Sequence, residues 1–435
     1  MQTCQLEYLF FMKKKNKIEL LAPAGSPEKM DYAFTYGADA VYMGIPDFSL
    51  RVRINKFALG DVKKAIAHAH KWGKKVYVTA NIYAHNEHLK KLPSYLKKLN
   101  TWKPDALIIS DPGVMQMAKQ YAPDIPIHVS TQANVTNWQA VKFWADQGVE
   151  RVILGREVTL EEIKEIHKRV PKVELEYFVH GAMCMSYSGR CMLSAWLTGR
   201  SANLGDCVQP CRWNYKVAEV EDPNRPDMKI PVEEDDHGTY IFNSKDMCFI
   251  EYLDELIDSG IVSLKIEGRA KSVAYLSSVI KAYREGIDFI NTEKDPPSLK
   301  LRRASKTKIK RKLKTLKKKY LDSLMHRGYT TGFLFGRDTV EQETKVSHLE
   351  SKEEFVGEVI KSENGKIFIK PHNALRVGDK IRIIQPNEND LLLVIKKMYN
   401  EKDEEVESAH GGAGYMVYVK MRNYIEDFSI LMRLK

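Results

Sequence analysis

The strongest constraint on this chain is an alternation. From residue 18 onward, short β-rich apolar runs recur at 18–24, 40–44, 75–81, 106–110, 127–134, 151–157, 173–181 and 261–268. Between them lie amphipathic segments of helical period, among them 27–36, 59–72, 87–100, 138–147, 160–170, 250–258 and 272–290. Eight strands alternating with about eight helices over some 270 residues predict a (β/α)8 barrel of the TIM type, an α/β fold. An open doubly wound sheet is the competing arrangement, but the Gly-rich dinucleotide turn is missing after the first run.

In such a barrel the residues that end each strand crowd one rim, where the fold keeps its chemistry. Those ends are polar here: Asn81, Ser110, Asp111, Gln132, Asn134, Arg156, Glu157, His180, Glu267 and Arg269. Helix capping accounts for Ser26, Asp111 and Thr159. It does not call for Gln132, Asn134, Arg156, His180 and Arg269 together.

The seventh run is followed by roughly 65 residues, through Cys184 to Lys245, before the next helix. A loop this long in a compact domain is a functional candidate, and its second half, 219–238, reads as a flexible excursion. Cys184, Cys191, Cys207 and Cys211 lie on it with the spacing C-x6-C-x15-C-x3-C. Clustered thiols in a reducing compartment bind metal or do redox chemistry more often than they form disulfides. Four thiolates hold either zinc or an iron–sulfur cluster. Only Cys207 and Cys211 have the close spacing usual for zinc, so the wide C-x6-C favours a cluster. Zinc and unliganded thiols stay open on spacing alone. Cys248 is a substitute ligand, and Cys4 reads as a free thiol. His180 with Cys184 is a conceivable nucleophilic pair. The chain has no HExxH, G-x-S-x-G or phosphate-loop motif.

Composition bears on partners. The 29% charged fraction and 10% aromatics rule out wholesale disorder, and no apolar run approaches the roughly 18 residues that span a bilayer. The apolar stretch at 8–12 is too short for a secretory signal, so a soluble cytoplasmic protein without a membrane partner is expected. Between Lys300 and Lys319 there are twelve Lys/Arg and no Asp or Glu, against a chain total of +11, which leaves everything else at −1. Leu or Ile at 301, 309, 313, 316 and 321 gives this stretch a helix with a thin apolar stripe. Such a run is either a solvated face or a polyanion contact. The lack of compensating acids favours a nucleic-acid contact through Lys308, Lys310, Arg311, Lys312, Lys314, Lys317, Lys318 and Lys319. The stripe is too thin for a membrane-surface helix.

The expected organisation is an N-terminal extension at 1–17, a barrel at 18–292 with the cysteine loop at 181–248, a basic helical linker at 293–345, and a small C-terminal β-barrel domain at 346–435. Short alternating strands from about residue 355 carry the last of these.

The segment 176–194, EYFVHGAMCMSYSGRCMLS, resembles the signature of the U32 family, long described as collagenase-like peptidases. ELLAPAG at 19–25, YGADAVYMG at 36–44, SLRVR at 49–53, ALIISDPG at 106–113, QANVTNWQAVKFW at 132–144, NSKD at 243–246, SLKIEGR at 263–269 and RGYTTGF at 327–333 resemble one branch of it, the prephenate-dependent tRNA uridine hydroxylases. The resemblance covers residue 18 to about 335, and the terminal β-domain is typical of the family.

It implies an enzyme that hydroxylates C5 of the wobble uridine (U34) of tRNA, with prephenate as co-substrate and a 4Fe–4S cluster held by Cys184, Cys191, Cys207 and Cys211. The basic run is more extreme than the resemblance implies and stands on charge alone. The two carboxylates of prephenate suit bidentate arginines, for which Arg51, Arg53, Arg156 and Arg269 are candidates. Glu157 and Glu267 are the structural partners that the last two would otherwise have. Gln132, Asn134 and Glu267 join the arginines as substrate-binding candidates, and His180 and Glu157 are the acid–base candidates. A splayed uridine would stack on Tyr187, Trp196 or Trp213 unless these only pack the loop. The hydrolase alternative is a U32 collagenase-like peptidase, and a non-enzymatic alternative is an RNA-binding protein with structural zinc.

Overall fold

The computed structural model describes residues 18–49, 57–183, 245–293, 299–336, 351–412 and 414–435, with positions 194, 198, 200, 206–208, 210, 234–235 and 238–239. All eight apolar runs form strands: β1 (Glu19–Pro23), β2 (Ala40–Gly44), β3 (Lys75–Ala80), β4 (Ala106–Ile109), β5 (Ile127–Val129), β6 (Arg151–Ile153), β7 (Glu174–Ala182) and β8 (Ile261–Ile266). They pair in parallel in chain order, and β8 joins both β7 and β1, which closes the cylinder. Closure excludes the open doubly wound sheet. The strands read as continuous apolar runs because lumen and helix layer bury both faces; every residue of β2 and β4 is buried.

The surrounding helices are α1 (Pro27–Thr35), α2 (Leu59–Lys71), α3 (Asn86–Trp102), α4 (Pro112–Tyr121), α5 (Trp138–Asp146), α6 (Leu160–Arg169), α7 (Leu253–Asp258) and α8 (Val273–Glu293). Ser26, Asp111 and Thr159 cap α1, α4 and α6 by accepting from the backbone N–H of Lys29, Val114 and Glu162. The helix expected over 250–258 is a 3-10 turn at Ile250–Tyr252 followed by α7. The basic segment forms α9 (Leu299–Leu316) and a π-turn at Lys317–Leu321, with Ile309, Leu313, Leu316 and Leu321 buried.

The amino-terminal half of the lumen is ionic. Arg151 Nη1 donates to Glu19 Oε1 at 2.6 Å and to Glu176 Oε2 at 3.1 Å, and Nη2 donates to Glu174 at 2.7 Å. Lys265 Nζ donates to the other oxygen of Glu176 at 2.7 Å, while Tyr77 and Ser263 donate to Glu19 at 2.5 and 2.8 Å. Burial opposes the charge of Glu176, yet Lys265 and Arg151 outweigh it and hold its carboxyl below the usual range.

The C-terminal region is a seven-stranded antiparallel half-barrel. In chain order its strands are β9 (Glu353–Glu363), β10 (Lys366–Pro371), β11 (Lys380–Ile384), β12 (Leu391–Val394), β13 (Tyr399–Asn400), β14 (Val417–Lys420) and β15 (Ile430–Leu434). Across the sheet they run β12, β11, β15, β9, β10, β14, β13. One face has its own core, including Val359, Ile369, Ile381 and Val417, while Ile384, Ile430 and Met432 join the core of the barrel. Tyr36 donates to the carbonyl of Ile384 at 2.8 Å. Lys281 donates to the carbonyls of Gln385, Pro386 and Glu388, the last at 2.9 Å. Among the described residues no helix is long and apolar enough to cross a membrane.

Candidate active site at the barrel mouth

The carboxyl ends of the strands bring the polar residues of β3 to β8 together. Asn81, just past β3, donates to Ser130 Oγ at 3.2 Å and accepts at its carbonyl from Ser110, just past β4, at 3.2 Å. Ser130 also caps the 3-10 turn Thr131–Ala133 that follows β5, and Tyr83 donates to the carbonyl of Gln132 at 3.3 Å. This turn ends on Asn134, whose φ of 55° is left-handed. It sets both carboxamides at the rim. Gln132 is buried, and neither its Oε1 nor Asn134 Oδ1, both buried, has a hydrogen-bond partner among the described residues.

Cations line the wall from β6 to β8. The Arg156 guanidinium lies over the Phe178 ring, 4.3 Å from its centre, and Nη1 donates to the carbonyl of Ala182 at 3.0 Å. Lys265 Nζ approaches Tyr42 at 4.4 Å and Phe178 at 5.5 Å, and Arg269 lies 5.5 Å from the centre of Tyr42. Two glycines make room for Arg269. A Cβ on Gly25 would sit 2.7 Å from its carbonyl oxygen, and one on Gly44 would sit 1.9 Å from Ser49 Oγ and 3.3 Å from Arg269 Nη1. Glu157 is half-buried just past β6, and Glu267 follows β8, with its N–H donating to the carbonyl of His180 at 2.9 Å. Lys265, Tyr42 and Phe178 were not singled out from the sequence. The alternation Ser263, Lys265, Glu267 was the available signal, since it places all three on one face of β8.

His180 does not share this lumen. Phe178 pairs with Lys265 but His180 pairs with Ile266, a bulge of one residue at Val179. Lys265 and Ile266 face opposite sides of β8, so the bulge turns His180 outward where simple alternation would turn it in. Its ring lies 5.6–5.9 Å from Tyr275, Tyr283 and Tyr329, and neither ring nitrogen has a partner among the described residues. Burial holds its pKa down at about 3, so the imidazole is neutral. The expectation that His180 projects into the mouth is thereby corrected. Cys248 faces it across the antiparallel strand Asp246–Cys248, and burial pushes that thiol up to about 12.

Strand β7 delivers the chain to Met183, one residue before the cysteine loop. Cys184, Cys191 and Cys211 lie outside the described residues, as do Arg51, Arg53, Tyr187, Trp196 and Trp213. Cys207 is half-buried. Beside it Arg200 forms a two-pronged pair with Asp206, at 2.7 and 3.1 Å, and the Val208 N–H donates to Ser194 Oγ at 3.2 Å. Cys207, beside this pair, is the one of the four cysteines that lies within the described residues.

The sequence profile of peptidase family U32 matches residues 25–344, and that of the U32 C-terminal domain matches 351–432. The chain belongs to peptidase family U32. Within this family it is 39% identical over 467 residues to the tRNA hydroxylation protein P of Haemophilus influenzae, covering 97% of each chain. The protein of that name from Escherichia coli is 39% identical over 457 residues, covering 96% of this chain and 97% of its own. A third relative, the 23S rRNA 5-hydroxycytidine C2501 synthase of E. coli, is 35% identical over 279 residues, which are 64% of this chain and 40% of that one.

Proposed function

We propose that this chain is an RNA-modifying enzyme that hydroxylates C5 of the wobble uridine of tRNA, with prephenate as co-substrate and a 4Fe–4S cluster on Cys184, Cys191, Cys207 and Cys211. The observation that carries the reading is the end-to-end similarity to two proteins named for tRNA hydroxylation. The rRNA hydroxycytidine synthase supports the coarser statement, oxidation of a pyrimidine in RNA.

The mouth suits the substrates. A dicarboxylate entering it meets Arg156 and Arg269 with Lys265 below them, and two aromatic faces, Phe178 and Tyr42, take up the carbon skeleton. A uracil base presents an imide N–H between two carbonyls, which the carboxamides of Gln132 and Asn134 match as acceptors and donors. Replacing C5–H by C5–OH is a two-electron oxidation that side-chain acid–base chemistry does not supply. A cluster on the four cysteines, when bound, would supply a redox-active centre that zinc does not. Glu157, at the rim and half-buried, is the group nearest in sequence to Arg156 that takes up a proton.

Nucleoside mass spectrometry of tRNA from a strain lacking the gene tests the reading. Loss of 5-hydroxyuridine derivatives, restored by the wild-type chain and not by Cys191→Ala, is expected. An unchanged nucleoside profile refutes it. Anaerobic purification tests the cluster separately: a broad brown absorbance that is lost in Cys191→Ala is expected, and a colourless zinc protein removes the cluster from the proposal.

A further inference from the structure

The chain owes its positive excess to the segment at 300–319, and the structure divides that segment lengthwise. One side is apolar: Ile309, Leu313 and Leu316 are buried, and Leu313 and Leu316 pack over Gly286 of α8, where a Cβ would stand 3.1 Å from Leu313 Cδ2. A second set of residues flanks this stripe and is paired with acids of the body. Lys308 meets Glu293 at 3.7 Å, Lys312 meets Glu285 at 3.2 Å, Lys317 meets Glu251 at 2.7 Å and Lys319 meets Asp390 at 3.3 Å. A third set, Lys306, Lys310, Arg311, Lys314 and Lys318, is exposed, and none of the five meets a carboxylate among the described residues.

The third set forms a ridge. At about 100° per residue, Lys306, Lys310, Lys314 and Arg311 span about 140° of the helix, from beside Leu313 round to the face opposite the buried stripe. Lys310, Lys314 and Lys318 succeed one another at four-residue steps of about 6 Å, close to the separation of consecutive phosphates on one nucleic-acid strand. The ridge also leads toward the mouth. Helix α8 starts just past the carboxyl end of β8, and α9 runs back along it, with Ser305 bonded to Glu293 and Tyr320 to Glu285. Beyond Tyr320 the chain reaches Tyr329, beside His180 at the end of β7.

We propose that Lys306, Lys310, Arg311, Lys314 and Lys318 form a phosphate-tracking surface that holds a folded RNA by its backbone. The paired lysines fasten the helix to the body and do not touch the RNA. The inference rests on the reading of RNA as the substrate and assigns it a second contact outside the mouth. An anionic membrane is the less suitable partner. The exposed side between 306 and 318 carries Thr307 and Thr315 and no apolar side chain that would enter a bilayer.

Binding of an unmodified tRNA transcript to the full chain between 50 and 200 mM salt tests this. Two variants are compared with wild type: the ridge set Lys310→Gln, Arg311→Gln, Lys314→Gln and Lys318→Gln, and the flank set Lys308→Gln, Lys312→Gln, Lys317→Gln and Lys319→Gln. Four phosphate contacts contribute a slope of about −3 in log affinity against log salt, an affinity change of about 60-fold over that range. The ridge variant is expected to lose this component with its melting temperature unchanged. The flank variant is expected to keep the slope and melt at lower temperature. An unaltered slope in the ridge variant overturns the proposal, as does loss of binding to phosphatidylglycerol vesicles with tRNA binding intact. Failure of the hydroxylase reading is seen elsewhere, in the nucleoside profile of the deletion strain.

Discussion

Replacing Arg151 by Met tests the ionic half of the lumen, where one guanidinium serves three carboxylates. Arg151 is 3% exposed, and its removal strips Glu19 of a 2.6 Å partner and Glu174 of two bonds, while Glu176 retains only Lys265. Breaking a buried ion pair by removing one member costs about 3–5 kcal/mol, since it leaves an uncompensated buried charge. With an unfolding entropy of about 2.1 cal/mol/K per residue over a barrel of some 270 residues, that lowers the melting temperature by roughly 5–9 °C. The pH dependence identifies the cause. In the wild type the folded-state pKa of Glu176 lies below its ordinary value, so its contribution is present above that value and is lost as pH falls through the folded pKa. In Arg151→Met the stranded carboxylates bind protons more readily when folded than when unfolded, so acid restores stability. The gap between variant and wild type, followed by circular dichroism melting, therefore narrows from pH 7 to pH 5. A loss under about 1 kcal/mol, or a gap independent of pH, would show that the network is held by packing and not by charge.

Three further predictions use other parts of the molecule. His180→Phe removes a buried imidazole whose folded pKa, about 3, lies below the unfolded value; the wild type therefore loses stability as pH falls from about 6.5, by roughly 2–3 kcal/mol at pH 4.5. The variant should lack that part of the acid slope in melting temperature, and an identical slope would contradict a neutral buried His180. Gly25→Ala drives a Cβ into the carbonyl oxygen of Arg269 at 2.7 Å, so hydroxylated tRNA nucleosides should fall in a complemented strain while the chain still folds; full complementation would detach Arg269 from the reaction. Lys281→Met leaves the carbonyls of Gln385, Pro386 and Glu388 without their donor, at about 1–3 kcal/mol for each group left unsatisfied. Calorimetry should then show the half-barrel unfolding ahead of the barrel, and a single unshifted transition would refute that coupling.

The barrel was legible because a strand buried on both faces must be apolar throughout, and eight such runs separated by helical periods have few other closed arrangements. What escaped depends on register between distant strands. The bulge at Val179 that turns His180 out of the lumen exists only relative to β8, some 85 residues later in the chain. Glu19, Arg151, Glu176 and Lys265 each read as an isolated charge within a strand, and only closure of the cylinder brings Arg151 to Glu19 and Glu176, and Lys265 to Glu176, within 3.1 Å. The basic helix shows the same division. Its apolar stripe followed from the 3.6 period, but which lysines are paired is decided by Glu251, Glu285, Glu293 and Asp390, which belong to four other segments.

The two ends of the lumen differ in satisfaction more than in polarity. At the amino-terminal end Arg151 and Lys265 each meet their carboxylates within 3.1 Å, and Tyr77 and Ser263 complete the shell of Glu19. At the carboxyl end the buried carboxamide oxygens of Gln132 and Asn134 have no donor among the described residues, at a cost of about 1–3 kcal/mol each. A fold bears that cost where a ligand relieves it. The left-handed backbone at Asn134, unfavourable for most side chains, is what holds the second carboxamide at the rim. The mouth is thus the end at which these buried oxygens lack partners among the described residues, the same end from which β7 leads into the four-cysteine loop.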